Sequence, residues 1–524
     1  MSIPLSFLLM FLSAILVSLA GPNEFMHSGS SFLGLIALAP IYVALVKARN
    51  WKISGLIGGF LFFFIHLMSS FWLAYFKEFA IFTLGGSALA YLLLGFPIGC
   101  IFRQGLKTPS WIRPFVFAAL WTVWEWFKSI GFLAYPWGTL IMSSFKTLPL
   151  IQIADITGTW GISFILSLFS ALCGEILLAC LSGKFLLSFK KGSSLRRSIL
   201  FSTLLFSLTL CYGFWNLIMP PKAIKSINLV LVQQNIDSWE NNGENQAIPI
   251  SQNLTRNAIA ESGIRPDLVV WSESILPYPY LEYKNKYRNF PQGDPFSLFL
   301  NELNAPLLVG SPVIVNQEKW ELSNSAILIS PTGEQLDFHS KIQLVPFAEY
   351  MPFTEYEWVR NFFDALVGFS RGWIPGTKYK TMSITTSSDQ DISFIAPICF
   401  EDAFSSLVAR LHNTGSELII NLTNDSWSKT ASAEYQHHAM ASFRAIELRT
   451  TLVRSTNGGY TSVIDPVGHI LADLPLFKSA ALAVAAPIFP HRTTFYARFG
   501  DWFPKLLAFL LLFSFFIFNR GNCK

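Results

Sequence analysis

Apolar runs long enough to cross a lipid bilayer divide this chain, and they limit its fold more than any other feature. A hydrocarbon core of about 30 Å takes about 20 apolar residues per helix, with every backbone polar group paired internally. Residues 3–19, 32–46, 53–75, 79–102, 114–133, 161–181 and 198–218 meet or approach that length, and an eighth run covers 502–518. Charge follows the same division. The first 220 residues hold 14 lysines and arginines against five acidic residues, whereas the remaining 304 hold 24 against 28. Over the whole chain 14% of residues are charged and 52% hydrophobic, against about 25% charged in a soluble domain. The expected organisation is a membrane domain of seven helices in 1–220, a block of soluble-like composition in 221–490, and a last helix with a short tail in 491–524. Ser18-Leu19-Ala20 resembles a small-residue cleavage site, but no basic residue precedes the first run, so a retained helix is expected.

Lysine and arginine accumulate in short cytoplasmic loops, and their positions orient the chain. Lys47, Arg49 and Lys52 follow the second run; Arg103, Lys107 and Arg113 the fourth; Lys184, Lys190, Lys191, Arg196 and Arg197 the sixth. The opposite loops offer only Lys77 and Lys146. The first helix then starts in the cytoplasm, the seventh delivers the 221–490 block to the outer face, and the eighth returns the chain, ending with Arg520 and Lys524 inside. The soluble block therefore faces away from the cytoplasm. No ATP or NAD supply is expected there. The basic residues form short clusters rather than a stripe, which argues against nucleic acid as a partner. Within the fifth run, Glu125 and Lys128 stand three apart on one helical face, where an ion pair is expected to lessen the cost of charge in lipid.

In the soluble block the apolar runs are short and β-branched, as strands are. They cover 227–232, 268–271, 307–309, 326–329, 392–395, 418–421 and 452–464, the last interrupted by Gly458-Gly459, with a helical pattern over 433–448. Strands alternating with helices predict an α/β layered domain. Polar residues stand at several strand ends: Glu273 after Val269-Val270-Trp271-Ser272, and Cys399 in Pro397-Ile398-Cys399-Phe400-Glu401-Asp402, while Lys341 opens a segment running to Glu349. Each has an ordinary reading, the glutamate as a cap, the lysine as a solvated charge, the cysteine as small core filler. Cys399 is nevertheless the block's only thiol, so an internal disulfide there is excluded.

Taken together, these residues resemble the nitrilase superfamily, which uses a Glu, Lys, Cys triad in that chain order. Val270-Trp271-Ser272-Glu273-Ser274, the stretch from Lys341 to Glu349-Tyr350-Met351-Pro352, Cys399-Phe400-Glu401, Asn424-Asp425-Ser426-Trp427 and Arg444-Ala445-Ile446-Glu447 look like its apolipoprotein N-acyltransferase branch. That branch also has seven helices before the nitrilase-like domain and one after it. The resemblance implies a polytopic helical membrane domain of eight transmembrane helices with an αββα sandwich inserted before the last. It implies ping-pong chemistry, in which a phospholipid acylates Cys399 and the free α-amino group of a diacylglyceryl-cysteine apolipoprotein takes the chain. It requires no cofactor and no metal, and a monomer is the expected state.

General chemistry gives the triad the same roles. A thiol attacks as thiolate, and its ordinary pKa of about 8.5 is expected to fall beside the Lys341 ammonium. Glu273 accepts the thiol proton and later that of the amine, and Lys341 also stabilises the oxyanion. Glu349 and Glu401 match further family glutamates; Glu349 is expected to orient Lys341 or the acceptor amine. Phe400 stands where the family often has tyrosine, Ala348 replaces a usual glycine, and Trp239 is an approximate counterpart of a family tryptophan because the spacing before it is shortened. Met351, Phe353, Tyr356, Trp358, Phe362, Phe363, Leu366, Phe369 and Trp373 make an apolar segment that reads as a lid dipping into the membrane interface, or as buried packing. A membrane-tethered amidase uses the same triad with water as acceptor, and the triad residues alone do not separate the two. A transporter with an outer binding domain fits less well, since intramembrane charges are few.

Overall fold

The computed structural model describes the chain except residues 77–79, 184, 186–189, 191, 238–242, 368–371 and 522–524. Trp239, Phe369, Lys77, Lys184, Lys191, Cys523 and Lys524 therefore lie outside the described residues. The chain forms two compact units: Met1–Met219 with Ala431–Ala439 and Arg498–Lys524, and Pro220–Thr430 with Met440–Ala497.

The first unit is helical. Among the described residues, five helices are long and apolar enough to cross a membrane: Ile3–Ala20, Trp51–Ser69, Ile81–Gly105, Trp160–Leu181 and Ser194–Ile218. The run at 32–46 forms two shorter pieces, Ser31–Ile36 and Ala39–Val46, and the run at 114–133 forms the helix Arg113–Lys128. The final run forms Trp502–Gly521. Lipid gives helices little hydrophobic reason to associate, so small residues that admit close backbone contact decide which helices pair. A side-chain carbon on Gly58 of Trp51–Ser69 would come within 2.6 Å of Gly99 Cα in the neighbouring helix, and only glycine allows this approach. Glu125 and Lys128 form no ion pair within 4 Å, contrary to the sequence expectation. Glu125 accepts instead from the Leu140 N–H at 2.6 Å and the Ser163 hydroxyl at 2.5 Å, and Lys128 Nζ donates to the Trp137 carbonyl at 2.6 Å. These partners are already in place on adjoining segments. Among the described residues of this unit an ion pair forms instead between Arg113 and Glu175, bidentate at 2.7 and 3.0 Å, with the Tyr42 hydroxyl donating to the same carboxylate.

Among the described residues the second unit carries twelve strands: β1 (Lys225–Gln233), β2 (Leu268–Val270), β3 (Leu307–Asn316), β4 (Glu321–Ile329), β5 (Gln335–Ser340), β6 (Met382–Thr385), β7 (Asp391–Ile395), β8 (Leu418–Asn424), β9 (Thr451–Asn457), β10 (Ser462–Ile464), β11 (Ile470–Asp473) and β12 (Ala480–Ile488). They form two six-stranded sheets, ordered β12-β1-β2-β3-β4-β5 and β11-β10-β9-β8-β7-β6. In each, three central strands run parallel, β1-β2-β3 in one and β7-β8-β9 in the other, and antiparallel strands flank them. Parallel strands need crossover helices, so both faces of such a sheet become buried and the strands read as continuous apolar runs. Alternation along β1 illustrates this. Ile227, Leu229 and Leu231 enter the core between the sheets with Phe394, Ile420 and Val453, while Val230 and Val232 face a second cluster containing Ile248, Phe296 and Phe299 of the covering helices. This unit is a two-sheet sandwich with helices on its outer faces, a nitrilase-like arrangement. The edge strands β5, β6, β11 and β12 add to the seven apolar runs anticipated.

Candidate active site

Glu273 follows β2, and its position depends on a close backbone contact. Gly310 in β3 packs so tightly that an added side-chain carbon would meet the Ser274 nitrogen at 2.2 Å and Glu273 Cα at 2.6 Å. Ser274 itself is left-handed at φ +60°, which turns the chain sharply after the glutamate. The carboxylate is buried and fully engaged. Oε1 accepts from Asn324 Nδ2 at 2.8 Å and from Lys341 Nζ at 3.3 Å, and Oε2 accepts from the Asn424 N–H at 3.0 Å. The Cys399 thiol is near enough to lower this carboxylate's affinity for its proton.

Lys341 follows β5 and is 1% exposed. Its ammonium donates to Glu349 at 2.7 Å as well as to Glu273, and its N–H donates to the Asn324 carbonyl at 2.8 Å. Glu349 is held from both sides: one oxygen accepts from Lys341 and, at 3.2 Å, from Asn324 Nδ2, and the other from the Val345 N–H at 2.8 Å. One lysine thus lies between two carboxylates, and one asparagine amide bridges the same pair. Sequence reasoning missed Asn324. Its signal is a polar Ser323-Asn324-Ser325 triplet inside a buried strand, where polar groups need a reason to be.

Cys399 begins a short 3₁₀ turn, Cys399–Ala403, after β7. It is half-buried against the core between the sheets. Its φ of +50° is a strained value for a residue with a side chain, a kind of strain that clusters at functional sites. Glu401 in this turn is fully enclosed but contacts neither Glu273 nor Lys341 among the described hydrogen bonds. Its carboxylate accepts from Ile342 N–H at 2.6 Å, Gln343 N–H at 3.1 Å and Ile398 N–H at 2.8 Å, with His339 Nε2 at 3.2 Å. Glu401 therefore ties the segment carrying Lys341 to the turn carrying Cys399. Phe400 is buried edge-on against Phe404, with centroids 4.7 Å apart. Trp239 falls outside the described residues.

The electrostatics correct one sequence expectation. Burial pushes the Cys399 thiol well above its ordinary value, Glu273 pushes the same way, and Lys341 offsets only part of this. The ammonium is shared between two carboxylates, leaving little net positive charge for the sulfur. These effects favour the neutral thiol of Cys399 at rest. Burial, with help from the Glu349 charge, also raises Glu273, against Lys341 and its hydrogen-bond donors. Burial alone would lower Lys341, but Glu273 and Glu349 outweigh it and hold the ammonium protonated well above its usual range. Burial would raise Glu401 too, yet His339 and the Ile398 and Ile342 N–H donors bring it below the ordinary carboxylate value. The site thus holds a proton acceptor with raised affinity, a permanent cation and a neutral thiol in mutual reach, the set that acyl transfer through a thioester needs.

The segment after Glu349 is partly helical, with Glu357–Val367 forming a helix. Met351 and Val359 are buried, while Phe353, Tyr356 and Phe362 are exposed and Trp358 is 74% exposed.

Known proteins match along nearly the whole chain. Residues 13–172 match the apolipoprotein N-acyltransferase N-terminal domain, and residues 229–486 match the carbon-nitrogen hydrolase family. Apolipoprotein N-acyltransferase 2 of Treponema denticola is 47% identical over 517 residues, 98% of each chain. Apolipoprotein N-acyltransferase 2 of Treponema pallidum is 41% identical over 521 residues, 95% of this chain and 92% of that one. Apolipoprotein N-acyltransferase of Borreliella burgdorferi is 32% identical over 515 residues, 97% and 95%. By its two matched domains and by identity sustained from end to end, the chain is a membrane protein that belongs to the apolipoprotein N-acyltransferase family, within the carbon-nitrogen hydrolase superfamily.

Proposed function

We propose that this chain takes a fatty acyl group from a phospholipid onto Cys399 and passes it to the α-amino group of an N-terminal diacylglyceryl-cysteine, completing lipoprotein maturation. The observation that carries this reading is the enclosed Lys341 ammonium between Glu273 and Glu349, next to a thiol whose proton Glu273 is placed to take.

In the first half-reaction the Cys399 sulfur attacks the ester carbonyl carbon while its proton moves to Glu273. The raised affinity of Glu273 suits it to hold that proton while the oxyanion exists, and Lys341 stabilises the oxyanion. The carbon–oxygen bond then breaks, and the departing lysophospholipid oxygen takes the proton back. In the second half-reaction the acceptor amine attacks the thioester, Glu273 removes an amine proton, and the carbon–sulfur bond breaks. The sulfur leaves with the proton returned from Glu273, so both halves balance without an oxidant or a reductant.

The proposed setting is a bacterial inner membrane crossed eight times, with 221–490 on the periplasmic face, supported by the basic residues after alternate apolar runs. The exposed aromatic groups of 353–362 are the proposed lid toward lipid. Intact mass after incubation with phospholipid tests the reading. An acyl-sized increment, labile to hydroxylamine and absent in Cys399→Ala, is the expected result. Release of ammonia from simple amides without that increment would replace the transferase with an amidase, and ion flux in liposomes unaffected by Cys399→Ala would replace it with a transporter.

A further inference from the structure

A buried guanidinium joins the two segments on which the nucleophile and the base depend. Arg454 lies in β9 with no solvent exposure, in register with Asn421 of β8 and Ser462 of β10. Its Nη1 donates to Asp402 Oδ2, and its Nη2 stands 3.8 Å from Asp425 Oδ2. Asp402 belongs to the turn that Cys399 opens. Asp425 follows Asn424, whose N–H holds Glu273 at 3.0 Å. Both aspartates are buried. From this geometry we propose that Arg454 is a positioning residue, whose guanidinium clamps the Cys399 turn to the Asn424-Asp425 loop and offsets the aspartate charge enclosed beside the nucleophile. The proposal deepens the thioester reading and rests on it for its purpose.

Two buried carboxylates on separate segments repel each other unless a cation lies between them, and losing that cation leaves uncompensated charge in a medium that screens it poorly. An arginine suits the position because its charge is delocalised and permanent, so one nitrogen donates to Asp402 while a second keeps positive charge 3.8 Å from Asp425. The charged groups acting on the thiol are Glu273, Lys341, Glu349 and Asp425, and Asp425 is among those that push it upward. Near Asp402 among the described residues is also Arg444, whose Nη1 donates to the Asp402 carbonyl at 3.3 Å and whose Nε faces Glu447 at 2.8 Å. Arg454 supplies positive charge to both Asp402 and Asp425.

The test is the pH profile of Cys399 alkylation by chloroacetamide in the full-length, detergent-solubilised protein, read from the mass of the peptide containing Cys399. Arg454→Met is expected to slow alkylation about tenfold at fixed pH and move the profile about one unit to higher pH. Asp425→Asn is expected to move it to lower pH and speed alkylation, and the double variant to return toward the parent. Opposite signs are the signature of charge compensation, because loosened packing alone would push both single variants the same way. An Arg454→Met profile that superimposes on the parent's, or two single variants shifted in one direction, overturns the proposal. Should Arg454→Met fail to fold, Asp425→Asn decides alone: a shift to lower pH supports the clamp, and an unchanged or higher profile overturns it. Alkylation needs no lipid, so failure of the parent to form an acyl adduct with phospholipid is read separately and counts against the thioester reading alone.

Discussion

Asn324 holds both acids of the site on one amide, donating to Glu273 at 2.8 Å and Glu349 at 3.2 Å. Two carboxylates sharing one lysine would otherwise push a proton onto one of them. The hydrogen bond to Asn324 lowers Glu273 and the Glu349 charge raises it, so opposite shifts are expected from removing each. The proposed acylation uses Glu273 as the base, and the acid limb of its pH profile should then lie above the ordinary carboxylate range. Asn324→Ala moves that limb to higher pH, and Glu349→Gln moves it to lower pH; single-turnover thioester formation across acidic to neutral pH measures both. A common direction for the two variants would remove the assigned balance. Glu273→Gln abolishes thioester formation by intact mass while leaving the thermal unfolding midpoint within a few degrees, and normal yield in that variant removes Glu273 from the mechanism. Glu273, Lys341 and Cys399 could be singled out in the sequence because family wording surrounds them. Asn324 could not, because an asparagine in a strand carries no local sign of what it faces, and the depressed thiol was misread because sequence order cannot show that Lys341's charge is already shared.

Strand elements were legible where both faces are buried. β1, β2, β8 and β9 read as apolar runs because each lies in the parallel centre of a sheet between two covered faces. The edges were not legible: β12 is mostly alanine, a helix former by propensity, and becomes a strand because nine of its residues pair antiparallel with β1. β5, which delivers Lys341, reads Gln-Leu-Asp-Phe-His-Ser and lacks an apolar run. Its end is pinned by tertiary contacts, above all by Glu401, whose carboxylate takes N–H groups from 342 and 343 on one side and 398 on the other. Glu401→Gln leaves three buried N–H groups facing an amide that satisfies them poorly, and is expected to cost about 2–3 kcal/mol. Because the folded state holds Glu401 below its ordinary value, this contribution is present above the unfolded carboxylate value and disappears as pH falls through the folded one. The variant's thermal midpoint should therefore trail the parent by roughly 5 °C at neutral pH and approach it in acid. A constant gap at every pH would mean that the charge of Glu401 is not what stabilises the fold.

Across the whole molecule the governing quantity is the cost of moving a lipid chain. An acyl group of about 16 carbons loses roughly 12 kcal/mol of transfer free energy on entering water, at ~0.8 kcal/mol per methylene. That cost exceeds what one site can recover by contact with a headgroup, so in the proposed reaction the donor ester has to reach Cys399 with its chain still in an apolar environment. The helix Glu357–Val367 and the residues before it present Phe353, Tyr356, Trp358 and Phe362 outward, and aromatic groups of this kind partition to membrane interfaces. If they form the path by which the chain travels, charge placed there should penalise long donors selectively. Trp358→Glu with Phe362→Glu is expected to raise KM for phospholipid in vesicles tenfold or more, while acylation of Cys399 by a water-soluble short-chain aryl ester stays within about twofold of the parent. Thioester formation from both donors, measured side by side by intact mass, separates the cases. Equal loss with both would mean the substitutions disturb the Glu349 segment itself, and no loss with either would mean that lipid reaches the triad by a route that leaves these aromatic residues aside.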